Sequence, residues 1–328
     1  VKDTDTGRNN SSGVFFLVFQ QKDRKYCCWF AIAIEKKSSY RSKKRIIDPK
    51  RPKMKQRNAF TLIELLVAIA IIALLLSTIM PALKAAKLQA QGAVCLTNVG
   101  GLARAWTVYA DENNGRIVGS MVGSTRAPFY CWVAGPETQN GVPVSPENST
   151  AEDEIRGIKK GLLFPYSESE TIYHCPSDTR YLKPPTTVNG TGVGGYRSFS
   201  LVGGIGPNSQ NEIAWQGYVP HLKISTIRSP GDKYILVEEA DGRGLNVNSW
   251  IIKPQTPNTW IDPIAIWHLK HSTLGFADGH GQKHRWEDKS TILMAKEQRT
   301  NFGDIGPGEG GDLAFMIRGF PFERYYSP

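Results

Sequence analysis

Five side chains able to ligate a divalent cation fall within 17 residues near the C-terminal end of the chain: His268, His271, Asp278, His280 and His284. Imidazole nitrogens suit Zn2+ and carboxylate oxygens suit Ca2+. Residues of one parity share a face of a strand, so Asp278, His280 and His284 can converge on a hairpin, with His268 as the fourth donor of a candidate metal set. The competing reading needs no ion. Asp278 then closes its own turn through an Asx-type bond, Gly279 supplies a positive φ, and His268 hydrogen-bonds across the sheet.

Other reactive constellations are sparse. The 328 residues hold no nucleophile elbow, P-loop or HExxH, and no dinucleotide fingerprint in a strand-to-helix setting. Glu238, Glu239 and Asp241, just after an expected strand, could supply the paired carboxylates of glycoside hydrolysis, but an acidic strand end reads as a solvated edge or a turn. The chain is expected not to be an enzyme, and no cofactor is expected beyond the candidate Ca2+ or Zn2+. Of five cysteines, Cys27 and Cys28 lie in a basic N-terminal stretch, leaving Cys95, Cys131 and Cys175 downstream without a CxxC.

The elements that position these residues follow from composition and pattern. With 32 Gly and 20 Pro, an all-helical body is excluded and a turn-rich head with short strands is expected. Residues 233–238 read as a buried strand. Residues 273–277 and 282–287 read as a hairpin around Asp278-Gly279-His280-Gly281, the Asp-Gly pair being its turn signal. A helix is expected over 149–163, with Ser149 and Glu152 as a capping box and Ile155, Ile158 and Leu162 on one face. Residues 188–195, rich in Gly, read as a surface loop.

The stretch with the sharpest consequence is residues 60–80, which carry one charge, Glu64, in 21 residues. At about 1.5 Å per residue it reaches roughly 30 Å, the hydrocarbon thickness of a bilayer. Apolar on every face, it reads as a transmembrane helix and not as a core helix. Residues 1–59 hold 16 Lys and Arg against 5 Asp and Glu, which leaves 24 against 25 for residues 60–328. The formal charge of +10 is thus confined to a basic leader, and the near-neutral body argues against nucleic-acid binding. Lys53, Lys55 and Arg57 hold the leader side in the cytoplasm and place the body outside. Met54 is the first methionine, so residues 1–53 are read as upstream of the translation start.

Helix formers continue past Pro81, and Val94, Leu102, Ala105, Trp106 and Tyr109 extend an apolar stripe through residues 81–114, with Gly100 and Gly101 as places for a bend or early stop. Asn113-Asn114-Gly115 supplies the left-handed cap. The expected organisation is a leader (1–59), a transmembrane helix (60–80), its continuation (81–114) and an extracytoplasmic α+β head (115–328).

A short basic leader, a small residue and then Phe60-Thr61-Leu62-Ile63-Glu64 opening an apolar helix resembles the prepilin family, the type IV pilins and the pseudopilins of type II secretion. The resemblance implies that a membrane prepilin peptidase cuts between Ala59, which stands where the family usually has Gly, and Phe60, which becomes a methylated N-terminus. Glu64 would then pair with the new ammonium of a neighbouring subunit as filaments assemble. A carboxylate in this position costs about 2.5–3.5 kcal/mol on insertion scales, and neutralisation between staggered helices would set their register. Pro81 sits where pilin-like proteins often carry a proline.

Residues 54–290 also resemble one branch of that family, the processing-associated H-X9-DG proteins, through His268, Asp278 and Gly279. Supporting motifs are Cys95-Leu96-Thr97-Asn98, residues 109–115, Cys175-Pro176-Ser177-Asp178 and Ile227-Arg228-Ser229-Pro230. Because both lie in such motifs, Cys95 and Cys175 are candidates for a disulfide, a buried reduced set being the alternative. The acidic, Gly-rich residues 304–312 are a second Ca2+ candidate by analogy with some pseudopilins. The family implies a pilin-like fold, a long N-terminal helix packed on an antiparallel sheet, at the bacterial inner membrane with its head in the periplasm or at the cell surface. Its partners would be the peptidase, other pilin or pseudopilin subunits and the membrane itself. The rival reading is a membrane-anchored adhesion or glycan-binding module, suggested by aromatic segments at 130–132 and 215–218. DNA uptake would require a basic patch on the near-neutral body.

Overall fold

The computed structural model describes residues 60–123, 130–145, 148–182, 195–207, 218–241, 246, 248–253, 259–297 and 310–324. The leader, Ala59, Cys27, Cys28, Trp215 and most of the 188–195 and 304–312 segments lie outside the described residues. The chain divides between Thr61 and Leu62; the first unit is represented by Phe60 and Thr61, and the second carries everything below.

One 51-residue helix, α1 (Leu62–Glu112), opens this unit and runs without interruption through Pro81, Gly100 and Gly101. It stops where Asn114 and Gly115 adopt positive φ (56° and 75°) and the Gly115 amide donates to the Ala110 carbonyl, as the Asn-Asn-Gly triplet predicts. Gly100 does not break the helix. The tight approach is on the other side of this contact, where a Cβ on Gly281 would lie 3.2 Å from the Gly100 nitrogen.

The head is α+β. Its central antiparallel sheet has the order β3-β5-β8-β9, formed by β3 (Phe199–Leu201), β5 (Tyr234–Glu238), β8 (His271–Phe276) and β9 (Gly281–Arg285). The expected strand and hairpin are both present, with Ser272 opposite His284 and Gly275 opposite Gly281. A parallel pair, β1 (Gly119–Gly123) and β2 (Cys131–Ala134), and two-residue ladders joining β4 (Tyr218–Val219) to β10 (Glu323–Arg324) and β6 (Ile252–Lys253) to β7 (Thr259–Trp260) surround it. Helices α2 (Ala151–Lys160), α3 (Phe164–Ser167), α4 (Lys289–Glu297) and α5 (Gly311–Gly319) are the other α-helices among the described residues, and short 3-10 turns link several elements.

The capping box of α2 lies one residue later than the pattern suggests. Thr150 Oγ1 accepts from the Asp153 amide at 3.2 Å and Asp153 Oδ2 accepts from the Thr150 amide at 2.8 Å. Glu152 faces solvent, whereas Asp153 and Glu154 face inward and are used there.

The core forms where α1 lies on β8, β9 and β5. The buried row is Gly92, Cys95, Val99, Leu102, Ala103, Trp106 and Ala110, a spacing of three and four that presents one helix face. Leu102, Ala105 and Trp106 belong to the expected stripe, but Val94 is exposed, since the row starts on Gly92 and Cys95 and turns Val94 away. Trp132, Trp250, Trp260 and Trp286 are fully buried as well. Trp132 stacks on Tyr173, so of the 130–132 aromatic pair only Tyr130 is available at the surface.

Candidate functional site

The N-terminal segment is built by exclusion from the head. From Phe60 to Leu83 the large apolar side chains are exposed, and among the described residues none covers the apolar window of α1. Glu64 is an exposed residue in the first turn, four residues after Phe60. Such a surface is unfavourable in water by about 25 cal/mol for each Å2 exposed, so lipid or other apolar helices must surround it.

The H-X9-DG residues do not assemble into one site. Asp278 and Gly279 form the β8–β9 turn, where Asp278 Oδ1 accepts from the His280 amide at 3.1 Å and contacts His280 Nδ1 at 2.6 Å, and Gly279 has φ 91°. Burial works against it, but these bonds and the His280 charge hold the Asp278 carboxyl below its usual range. His268 precedes the other end of β8. Six residues at about 3.3 Å each separate the two ends by roughly 20 Å. His284 stacks on Phe315 and packs edge-on to Trp286; burial, its largest influence, lowers its pKa. The expected set of His268, Asp278, His280 and His284 is thus divided among the base of the hairpin, its tip and its flank, and the Asx-turn reading of Asp278 and Gly279 holds.

His268 instead meets three residues distant in sequence. The ligand atoms of Cys95, Cys175, Glu238 and His268 lie within 4.8 Å of one another, and all four residues are buried. Cys95 projects from α1 and its Sγ lies 2.7 Å from Cys175 Sγ; both are free thiols. Cys175 follows a 3-10 turn (Glu170–Tyr173) and is held by its amide, which donates to Ser198 Oγ. Glu238 ends β5, where Thr273 of the neighbouring strand donates to it from its hydroxyl (3.0 Å) and its amide (3.3 Å). His268 Nε2 lies 3.3 Å from both Cys175 Sγ and Glu238 Oε1, while Nδ1 faces the Leu88 carbonyl at 3.3 Å.

The electrostatics of the cluster ask for positive charge. Burial pulls the His268 imidazolium down, yet bonding to Cys175 and Glu238, together with the Glu238 charge, pushes its pKa up to about 10. Burial raises the Cys175 thiol, but the Cys95 hydrogen bond and His268 outweigh it and leave it below the ordinary thiol value.

Around the cluster runs a buried polar network that the sequence reading missed. Asp178 of the Cys-Pro-Ser-Asp motif grips Arg180 through both carboxylate oxygens and accepts from Ser198 Oγ. Arg180 also donates to Asn246 Oδ1 and the Glu239 carbonyl. Glu238, Glu239 and Asp241, expected at a solvated strand end, are all buried. Desolvation, with Asp262 and Asp241 nearby, holds the Glu239 carboxyl well above its usual range. Paired carboxylates are present, but they lie inside the core.

Residues 54–80 match the family described as the prokaryotic N-terminal methylation motif. The match supports a prepilin-type protein, and with the exposed apolar α1 it fits a structural subunit anchored in the inner membrane. No curated protein and no solved structure matches the chain.

Proposed function

We propose that the chain is a pilin or pseudopilin subunit: prepilin peptidase cuts between Ala59 and Phe60, the apolar part of α1 enters a filament core, and the head faces the periplasm or the exterior. The observation that carries this reading is the join of a matched methylation motif to a helix whose large apolar residues up to Leu83 have no cover among the described residues. Cleavage creates an ammonium on Phe60, four residues before Glu64 in the sequence. In lipid an acidic side chain is costly, and an ammonium from an adjoining copy offsets that cost and sets the axial stagger of the two helices. The peptidase, other subunits of the same kind and the membrane are the partners this requires.

Of the aromatic residues behind the glycan-binding alternative, Trp132 and Tyr218 are buried and Tyr130 is exposed, while Trp215 lies outside the described residues. The test is direct. The membrane form should have a mass that begins at a methylated Phe60, and Glu64→Leu should insert normally yet lose subunit crosslinking. An intact Ala59–Phe60 bond, or normal crosslinking by the variant, would overturn the proposal.

A further inference from the structure

Four separate segments, helix α1, the loop after Tyr173, the end of β5 and the turn before β8, deliver four ligating atoms to one buried point. We propose that Cys95, Cys175, Glu238 and His268 bind one Zn2+ ion as a closed structural site that staples α1 to the head.

The donor types come first. Two sulfurs, an imidazole nitrogen and a carboxylate oxygen are the ligands Zn2+ takes in fours, whereas Ca2+ takes six to eight oxygens. Sulfur donors therefore decide against Ca2+. All four donors come from the protein and all are buried, so no open position remains and the site is structural.

The orientation of His268 comes second. With its proton on Nδ1, facing the Leu88 carbonyl, the Nε2 lone pair points at Cys175 Sγ and Glu238 Oε1, each 3.3 Å away. Once the thiols and the imidazole Nε2 have given up their protons, these donors face one another as electron-rich groups that attract only through a cation between them. A proton on Nε2 serves one or two of these atoms, whereas a metal ion serves all four, Cys95 included. A backbone carbonyl on the far imidazole nitrogen is the usual outer support of a zinc-bound histidine, and Thr273 supports Glu238 in the same way.

The scaffold comes third. A Cβ on Gly92 would meet His268 Cγ at 3.1 Å, so the imidazole lies against the bare helix backbone one turn before Cys95. On binding, the thiols and the Nε2 of the His268 imidazolium give their protons to solvent, the hydrated Zn2+ sheds its waters, and the two sulfurs, Nε2 and a Glu238 oxygen take their places. No oxidant or reductant is consumed, and the sulfurs move apart toward about 3.7 Å, the span of two 2.3 Å bonds in tetrahedral geometry. A disulfide between Cys95 and Cys175 is the exclusive alternative for the same two sulfurs.

The test uses the full chain, purified in detergent without chelator. Elemental analysis should find about one zinc per chain, falling at least about tenfold in Cys175→Ser and in His268→Ala and staying near one in Cys131→Ser. Because the ligand variants can fail to fold, the wild-type chain loaded with Co2+ after reduction is the second measurement. A sulfur-to-cobalt charge-transfer band with the visible bands of a tetrahedral ion supports the site. Zinc-free protein whose peptide map joins Cys95 to Cys175, or a cobalt-loaded chain without the charge-transfer band, overturns it. Neither outcome bears on cleavage at Phe60, so the two proposals fail separately.

Discussion

The two halves of α1 share one backbone geometry and differ in what surrounds them. Up to Leu83 the helix exposes its Leu, Ile and Val side chains all round; from Gly92 to Ala110 it buries one broad face against the sheet, α3 and the Glu170–Tyr173 turn. The first half is specified by composition and would be stable in any apolar surrounding. The second is specified by shape: Gly92, Gly100, Gly275 and Gly281 remove Cβ atoms where helix and hairpin touch, and Val99 lies against Gly275. A helix can thus serve two environments if its apolar surface narrows from a full girdle to a stripe at the boundary.

The comparison breaks most sharply at Trp106, which is fully buried. Trp106→Ala should destabilise the head by about 3–5 kcal/mol. Leu66→Ala, an equally apolar loss in the exposed half, should change it by less than about 0.5 kcal/mol. Chemical denaturation of both variants in detergent, monitored by tryptophan emission, gives the two numbers; similar values would mean that the halves are not distinct.

A smaller effect is expected at the hairpin contact. A Cβ on Gly281 would lie 3.0 Å from the Leu96 carbonyl oxygen and 3.2 Å from the Gly100 nitrogen, both backbone atoms that yield little. Gly281→Val should therefore cost about 1–3 kcal/mol, read as a fall in Tm. An unchanged Tm would show that helix and hairpin are looser than their spacing implies.

The smallest effect sharpens the contrast electrostatically, because ionisable groups populate the interior of the head. The folded state favours neutral Glu239. Its contribution is complete below the unfolded carboxyl value of about 4.3 and is lost as pH rises from there toward the raised folded value. Glu239→Gln, which is always neutral, should raise Tm slightly, and the gain should grow between about pH 5 and pH 8. A gain that shrinks with pH would show that Arg180 and Arg197 stabilise the ionised form.

Much of the architecture was legible because its signals are local. The apolar run, the Asn-Asn-Gly stop, the Asp-Gly hairpin and the strand Tyr234–Glu238 each depend on neighbours within a few residues. The capping box missed by one position because Ser149 and Thr150 both fit the pattern, and burial of Asp153 chose between them. His268 parts from Asp278, His280 and His284 for a different reason: closeness in sequence is not closeness in space, because an extended strand carries its ends apart. Burial of Glu238, Glu239 and Asp241 was illegible, since the arginines that accompany them come from Arg180 and Arg197.

The amino-acid sequence alone determined that residues 60–80 need an apolar surrounding and that a mixed head follows, because hydration cost and turn preference belong to short stretches of chain. Only the tertiary structure decided that Cys95, Cys175, Glu238 and His268 share one buried point. Donors at positions 95, 175, 238 and 268 meet through the path of the whole chain, and no local rule encodes that path.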